Sequence, residues 1–282
     1  MTTIQNQECD QVTLLTGPGD IYSGVTVDKT LLAKTPALFE RQLEQSLAAW
    51  RQAKRRGIWL SIPHDRTELI PIAQKLGFVL HHAKPDYVML SHWLDEEEPN
   101  QLPSYAMSTI GVGGFVVNKK RQVLLIQERF AYVDDYFKLP GGCLDIGESI
   151  EKGVEREVFE ETGIHAHFRG ILGFTYKEEF RFGHGDVYFG CLMSLDENEE
   201  EQKINYDPHE IAACKWMSLD EWANSPEKHP VAITLHLARL AIDVLDGRQQ
   251  LLEPDRIEVK SRNPNRPSWD IMMYRTKSND KN

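Results

Sequence analysis

Residues 142–164 read GCLDIGESIEKGVEREVFEETGI and carry the strongest local pattern in the chain. Apolar residues recur at helical spacing, and Gly163 follows them as a stop signal, so we expect a helix that ends near Glu161. At about 100° per residue, Glu157 and Glu161 lie one turn apart on one face. That face also carries the apolar Val154. The sequence therefore predicts a helix whose inward edge bears two carboxylates.

Two inward carboxylates four residues apart are unstable on their own. They repel each other, and moving each charge toward a low dielectric costs on the order of several kcal/mol. A divalent cation resolves this conflict, and oxygen ligands that are only partly supplied by the protein favour Mg²⁺ with substrate phosphates and water. The alternative is a solvated acidic helix. The position of the acids on the apolar edge, after a glycine-rich loop, counts against it.

A second charged set accompanies the two carboxylates. Arg156 and Glu160 have opposite charges at i,i+4, so the simplest interpretation is an ion pair in which Arg156 orients its glutamate neighbours. Glu148, just before the helix, can serve the helix dipole and also reach Arg156. Gly141 and Gly142 allow a close backbone approach and leave peptide groups available to a metal or phosphate.

The stretch resembles the signature of the Nudix family, G-x5-E-x7-R-E-U-x-E-E-x-G-U, where U is a bulky aliphatic residue. Every specified position is filled, by Gly142, Glu148, Arg156, Glu157, Val158, Glu160, Glu161, Gly163 and Ile164. The resemblance covers about residues 108–245 and implies an α/β fold, the Nudix α/β/α sandwich with a mixed sheet.

Similarity also extends upstream. The runs RGIWLSIP (56–63), GFVLHHAKPDYVML (77–90) and GVGGFVVN (111–118) resemble one Nudix subfamily. It holds plant ADP-ribose/NADH pyrophosphatases and the vertebrate fibroblast-growth-factor antisense Nudix protein. In that subfamily a small acyltransferase-like α/β domain precedes the Nudix domain, and alternating helix and strand patterns before residue 95 agree with it.

The predicted division of the chain follows composition. The acidic, proline-bearing run LDEEEPNQLPS at 94–104 is typical of a linker. We expect a small N-terminal α/β domain, a linker, a Nudix domain and a tail that is partly extended or disordered. Their bounds are 1–95, 96–106, 107–246 and 247–282.

The resemblance implies hydrolysis at phosphorus in a nucleoside diphosphate linked to another moiety, X. By position, Glu157 and Glu161 would be the principal Mg²⁺ ligands, with Mn²⁺ as a substitute. The Gly141 carbonyl is a further candidate ligand. Glu160 is either a third ligand or the partner of Arg156.

The resemblance also implies catalytic and structural roles for residues of the signature. Glu157, Glu160 and Glu161 are the catalytic candidates, and Glu210 is an outside candidate for the general base. Other acids at 197–201 fit a solvated turn. A structural or orienting role falls to Arg156, Glu148, Gly142 and Gly163.

The substrate is less determined by the sequence. The subfamily resemblance points to ADP-ribose or NADH. The residue patterns that follow the signature in NADH enzymes and in many ADP-ribose enzymes are absent, however. Several aromatic residues could stack an adenine, but sheet or core positions account for most of them. They are Phe130, Tyr132, Tyr136, Phe180 and Phe182.

Composition limits the classes of binding partner that we expect for this chain. A net charge of −11 argues against a nucleic-acid partner other than a capped RNA end. No membrane-spanning run, signal or transit peptide is evident, so we expect a cytoplasmic protein with reduced cysteines. His64, His81 and His82 lack further ligands at metal spacing. The partner is a small-molecule dinucleotide, and the N-terminal domain could dimerise the chain or cover the site.

Three other functions stay open to test. The first is a regulatory or interaction protein that uses the Nudix fold as a scaffold. The intact signature counts against this function. The second is an RNA-cap hydrolase with the same chemistry. The third is acyl transfer by residues 11–95, which lack a glycine-rich loop suited to a coenzyme A pyrophosphate.

Overall fold

A computed structural model describes residues 12–106, 108–130, 136–195, 202–225, 232–260 and 268–276. Cys9, Tyr132 and the acidic run 197–201 lie outside these ranges. The chain divides into two units, Met1–Ala106 and Met107–Asn282. Each unit has its own sheet and its own core. The finer predicted boundaries, those of the linker and the tail, stay predictions.

The N-terminal unit contains a four-stranded sheet in the order β1-β2-β4-β3. Strand β1 is parallel to β2, and the other neighbours are antiparallel. The elements are β1 (Val25–Thr26), α1 (Pro36–Gln52), β2 (Gly57–Pro63), α2 (Ile70–Lys75), β3 (Val79–Lys84) and β4 (Tyr87–Trp93).

Helix α1 shows how this unit is built. The Thr35 hydroxyl caps the helix by accepting a hydrogen bond from Leu38 N at 3.4 Å. Apolar residues at steps of three and four are buried on one face: Phe39, Leu43, Leu47 and Trp50. The buried Gln42 amide is satisfied, because it donates to Thr13 O and Leu31 O and accepts from Ala33 N.

The C-terminal unit is built on a five-stranded mixed sheet in the order β7-β8-β5-β6-β9. Strands β5 and β8 are parallel, and the other neighbours are antiparallel. The strands are β5 (Ser108–Val117), β6 (Gln122–Glu128), β7 (His167–Lys177), β8 (Gly185–Ser194) and β9 (Ile211–Ser218).

Helices cover both faces of this sheet. Val112 and Val116 of β5 share a core with α3 (Ile150–Thr162). The alternate residues Phe115 and Val117 share a second core with α4 (Leu219–Ala223) and α5 (Ala232–Leu245). Successive strand residues point to opposite faces, so one strand contributes to both cores. The arrangement confirms the predicted α/β/α sandwich with a mixed sheet.

Strands β5 and β6 separate soon after their hairpin turn, and a loop fills the gap. They pair only at Val117 and Val123. Beyond that point Gly114 N donates to Pro140 O and Val112 N donates to Gly142 O, both at 2.8 Å. On the other side Lys138 forms an isolated bridge with Ile126 of β6. This inserted segment thus contacts β6 through the bridge at Lys138 and β5 through Pro140 O and Gly142 O.

The chain after residue 247 contains a two-stranded antiparallel hairpin. Its strands are β10 (Glu253–Val259) and β11 (Trp269–Arg275). Leu252 bridges to Ile171 of β7, which attaches the hairpin to the edge of the five-stranded sheet. The sequence predicts an extended or disordered tail here and gives no sign of this pairing.

Candidate active site

Helix α3 carries most of the predicted site, and both of its ends are fixed. The Ser149 hydroxyl accepts a hydrogen bond from Lys152 N at 3.2 Å. Gly163 ends the helix with φ +70°, a left-handed conformation that suits glycine. A Cβ atom at position 163 would also lie 2.7 Å from Asn205 O. The start and end of α3 are therefore well defined, which fixes the positions of its side chains along the helix.

The helix lies unusually close to β5. Val154 and Val158 are fully buried against the sheet. A Cβ atom at Gly114 would lie 2.5 Å from Val158 Cγ2 and 2.8 Å from Met193 Sδ. Glycine at position 114 therefore permits the approach that brings the carboxylates of α3 down to the glycine-rich loop.

Arg156 forms hydrogen bonds with three glutamates in or just before α3. Its Nε and Nη2 donate to the two oxygens of Glu148 at 2.9 and 2.8 Å. Its Nη1 donates to Glu157 Oε1 at 2.9 Å and to Glu160 Oε2 at 3.0 Å. Nη2 also donates to Cys143 O at 3.2 Å. One guanidinium thus holds three carboxylates and the glycine-rich loop together.

The pairing with Arg156 controls the charge of Glu148. The fork of two hydrogen bonds from Arg156 lowers the pKa of the Glu148 carboxyl to about 2. The same contacts raise the pKa of the Arg156 guanidinium. Glu148 is therefore ionised at neutral pH and acts as a fixed counter-charge to Arg156.

Glu161 has the opposite surroundings. It is 9% exposed, and its Oε2 accepts a hydrogen bond from Gly141 N at 2.6 Å. Burial raises the pKa of the Glu161 carboxyl to about 7, and the charge of Glu157 adds to the effect, while Lys138 and the Gly141 N–H act against it. This carboxylate has lost most of its water without gaining a guanidinium partner.

The glycine-rich loop is shaped for close contact. Gly141 has φ +151°, and a Cβ atom there would lie 2.1 Å from Val112 O. A Cβ atom at Gly142 would lie 2.7 Å from both oxygens of Glu157. Among the described residues, none donates a hydrogen bond to the Gly141 carbonyl. The loop therefore brings its backbone close to both Glu157 and Glu161.

An open cavity of about 500 Å³ lies where β6 ends and β9 begins. Among its lining residues are Glu128, Phe130, Glu161, His209, Glu210 and Ile211. Glu128 forms an ion pair with Lys138. The structure thus brings Glu210 to the same cavity as Glu161, although 49 positions separate them in the sequence.

Sequence reasoning missed part of this cavity. Glu128, Lys138 and His209 line or adjoin it, yet none belongs to the box. The isolated bridge between Ile126 and Lys138 brings the two segments together, and no sequence pattern predicts that pairing. The position of Glu128 at the end of a strand is the only available signal.

The other aromatic candidates lie in different places. Tyr136 is half-buried, and burial raises the pKa of its hydroxyl. Phe180 and Phe182 lie at the turn between β7 and β8, and Phe182 is 93% exposed. Tyr132 falls outside the described residues. Phe130 is the candidate that lines the cavity with Glu161.

The described residues contain no group of three His, Cys, Asp or Glu side chains arranged to hold a metal ion. The carboxylates of Glu157, Glu160 and Glu161 each accept a hydrogen bond from another group. Arg156 holds Glu157 and Glu160, and the Gly141 N–H holds Glu161. In the N-terminal unit, Nδ1 of His81 and Nδ1 of His82 lie 2.7 Å apart in a hydrogen bond.

The donor chemistry nevertheless fits a hard divalent cation. Glu157 and Glu161 are acidic and lie beside one glycine-rich loop, since a Cβ atom at Gly142 would lie 2.7 Å from the Glu157 oxygens and Gly141 N donates to Glu161 at 2.6 Å. The spare Gly141 carbonyl is a third oxygen of the kind such ions prefer.

Comparison with known proteins identifies the family. Residues 15–94 match a family model described as the Nudix hydrolase domain, and residues 107–239 match one described as the NUDIX domain. The chain belongs to the Nudix hydrolase family. The comparisons do not show the acyltransferase likeness of the N-terminal unit, which stays a prediction.

Similar proteins come from plants and mammals. Nudix hydrolase 8 of Arabidopsis thaliana is 38% identical over 226 residues, 79% of this chain and 60% of that protein. The chain thus matches less than two thirds of that relative. Nudix hydrolase 2 of the same plant is 32% identical over 261 residues, 91% of each chain.

A mammalian relative completes the pattern. Nucleoside diphosphate-linked moiety X motif 6 of Mus musculus is 36% identical over 235 residues, 81% of this chain and 72% of that protein. These plant and vertebrate relatives confirm the predicted subfamily resemblance. Separately, no helix in the described part of the chain is both long enough and apolar enough to span a membrane.

Proposed function

We propose that the chain is a Mg²⁺-dependent hydrolase that cleaves the diphosphate linkage of a nucleoside diphosphate linked to a second moiety. ADP-ribose or NADH is the substrate, and AMP and the phosphorylated other half are the products. The observation that supports this most strongly is the buried Glu161 carboxylate beside Glu157 and the glycine-rich loop. Mn²⁺ substitutes for Mg²⁺ at such oxygen ligands.

Glu157 and Glu161 would hold the cation, with the Gly141 carbonyl as a further ligand. Glu160 is the more exposed carboxylate, and its contact with Arg156 at 3.0 Å supports a role as ion-pair partner. The bound cation supplies polarisation of the phosphoryl oxygens and a lower pKa for the attacking water.

The other residues of the box hold this arrangement in place. Arg156 keeps Glu157 directed toward Gly142, and Glu148 keeps Arg156 in position through its fork of hydrogen bonds. Gly142 leaves room for the Glu157 carboxylate, and Gly163 ends the helix one turn after Phe159. Fixed side chains lower the reorganisation that the reaction requires.

Glu210 is the proposed general base from outside the box. It lines the cavity that Glu161 also lines, and its backbone carbonyl accepts a hydrogen bond from Arg129 N at 2.8 Å. A base in this place could take a proton from a water molecule directed at phosphorus. The competing candidates for the general base are the glutamates of the signature, Glu157, Glu160 and Glu161.

Further expectations accompany the proposal. The residues at 1–95, 96–106, 107–246 and 247–282 would act as domain, linker, domain and tail. The N-terminal domain would dimerise the chain or cover the site. The protein would act in the cytoplasm on a small-molecule dinucleotide.

The experiment follows phosphate-bond cleavage by chromatography, with and without Mg²⁺. The substrates are ADP-ribose, NADH, NAD⁺, diadenosine polyphosphates, coenzyme A and capped RNA. Wild type is compared with Glu161→Gln and with the control Glu151→Gln, which changes an exposed carboxylate on the same helix. We expect metal-dependent AMP release from ADP-ribose or NADH, lost only in Glu161→Gln. Absence of turnover by folded, Mg²⁺-loaded wild type on all six substrates would overturn the proposal.

A further inference from the structure

Phe130 lies in an unusual place for a large apolar side chain. It is 81% exposed, yet it lines the cavity that also contains Glu161 and Glu210. An exposed aromatic ring in a concave, charged cavity has no packing role of its own. Such a ring offers its face to a planar ligand.

Arg129, the residue before Phe130, anchors this part of the chain and places its guanidinium near the ring. Arg129 N donates to Glu210 O at 2.8 Å, which ties the stem of Phe130 to the residue before β9. Arg129 Nη1 donates to Pro208 O at 3.0 Å, and its Cζ lies 5.7 Å from the centre of the Phe130 ring. The cation contacts the ring within the range of a cation–π interaction. The backbone next to Phe130 is therefore fixed at the cavity, and the ring lies beside a cation there.

The neighbouring wall is also fixed. His209 N donates to Asp207 Oδ1 at 2.8 Å, and Ile211 N donates to Asp207 O at 2.9 Å. These bonds form a tight turn that places His209 and Glu210 on the cavity. Two segments distant in sequence, 128–130 and 207–211, thus form one preorganised recess, which limits the entropy cost of binding.

Phe182 provides a natural contrast. It is 93% exposed, at φ +59°, in the turn Arg181–Gly183, and it does not line this cavity. Exposure of an aromatic ring alone therefore does not distinguish the two residues. Phe130 differs by its cavity, its supporting cation and its nearness to the carboxylate that marks the candidate site.

We propose that Phe130 is the base-stacking residue of the substrate site, on which the adenine ring of the nucleotide half lies while the diphosphate extends toward Glu161. This inference rests on the proposed function, since it assigns a subsite of the same reaction. A cavity of about 500 Å³ accommodates a nucleoside. Stacking on an aromatic ring tolerates either orientation of the base and needs no hydrogen bond to its edge.

The direct test compares AMP with ribose 5-phosphate, which is AMP without its base. Both are titrated into the full chain with Mg²⁺, and heat release gives each Kd. The proteins are wild type, Phe130→Ala, Phe130→Tyr and the control Phe182→Ala. We expect wild type to prefer AMP by about tenfold, Phe130→Tyr and Phe182→Ala to keep the preference, and Phe130→Ala to lose it.

Steady-state kinetics on ADP-ribose gives a second readout. Phe130→Ala should raise KM by about tenfold with kcat within about twofold of wild type, because stacking acts on ground state and transition state alike. An unchanged AMP preference in Phe130→Ala, or no AMP binding by wild type, overturns the inference. A wild type that binds AMP through Phe130 but hydrolyses nothing overturns the proposed function alone.

Discussion

A carboxylate near each end of helix α3 (Ile150–Thr162) lies in very different surroundings. Near its start, Glu148 shares two hydrogen bonds with Arg156, and its carboxyl has a pKa of about 2. Near its end, Glu161 is buried against Gly141, and its carboxyl has a pKa of about 7. The Glu148 carboxylate has a guanidinium as its counter-charge, whereas the Glu161 carboxylate accepts a hydrogen bond from a neutral backbone N–H. Under the proposed function, a cation at the Glu161 end would offset the cost of burying that carboxylate, whereas Glu148 already has Arg156 as its counter-charge.

Glu161→Gln tests the end of α3 at which the carboxylate is buried. We expect catalysis to fall by at least about 100-fold, since one directed charge at a reacting centre has this effect. The free energy of unfolding should stay the same or rise, because the change removes a buried charge that has no guanidinium partner. Hydrolysis rates and urea unfolding of the same preparations measure both. A large loss of stability would assign Glu161 to the structural end of the helix.

Arg156→Lys tests the other end. Lysine keeps the charge but cannot form the fork with Glu148 while contacting Glu157 and Glu160. We expect activity to fall by about 10- to 100-fold and the free energy of unfolding to fall by about 2 kcal/mol. Lys152→Arg, an exposed change on the same helix, is the control. Full activity in Arg156→Lys would contradict an orienting role that needs the fork.

Glu148→Gln tests whether the contact between Glu148 and Arg156 stabilises the fold in a pH-dependent way. The folded-state pKa of Glu148 is depressed, so its contribution to stability is present above its ordinary pKa of 4.5 and is lost as pH falls toward 2. Wild type should exceed the variant by about 2 kcal/mol at neutral pH, and the gap should narrow below pH 4.5. Hydrogen exchange of the α3 amides measures this locally. A gap independent of pH would mean that packing, not charge, accounts for Glu148.

Gly142→Ala gives the smallest expected effect. The added methyl group would lie 2.7 Å from both Glu157 oxygens and push that carboxylate aside, while the helix itself is untouched. We expect a fall in activity of about threefold to tenfold with a change in stability under about 1 kcal/mol. The matched change is Gly147→Ala, which meets no atom within 4 Å but strains a backbone with φ +83°. It should lower stability and spare activity, the reverse pattern.

Much of the helix-borne site could be predicted, because its residues are local in sequence. Helical spacing predicts an end near Glu161, and the helix spans Ile150–Thr162. The same spacing predicts that Arg156 and Glu160 pair, and they do so at 3.0 Å. The inward position of Glu161 also follows from that spacing. The metal and catalytic roles of these residues stay predictions.

The remainder of the site could not be predicted because it depends on contacts between distant segments. The separation of β5 from β6 and the bridge of Lys138 to Ile126 are matters of strand register. A cavity shared by Phe130 and His209 follows from that register and from a turn near Asp207. The C-terminal hairpin was missed for a related reason, since prolines and scattered charges obscure its alternation.

The inserted loop has a kinetic consequence. Its peptide groups complete the hydrogen bonds of β5 at Val112 and Gly114 and those of β6 at Ile126. If the loop left, these central-strand amides would lose their partners, so it opens only when the sheet itself opens. The candidate site should therefore persist as long as the folded domain does, and amide protons at Val112, Gly114 and Lys138 should exchange at the rate of global unfolding.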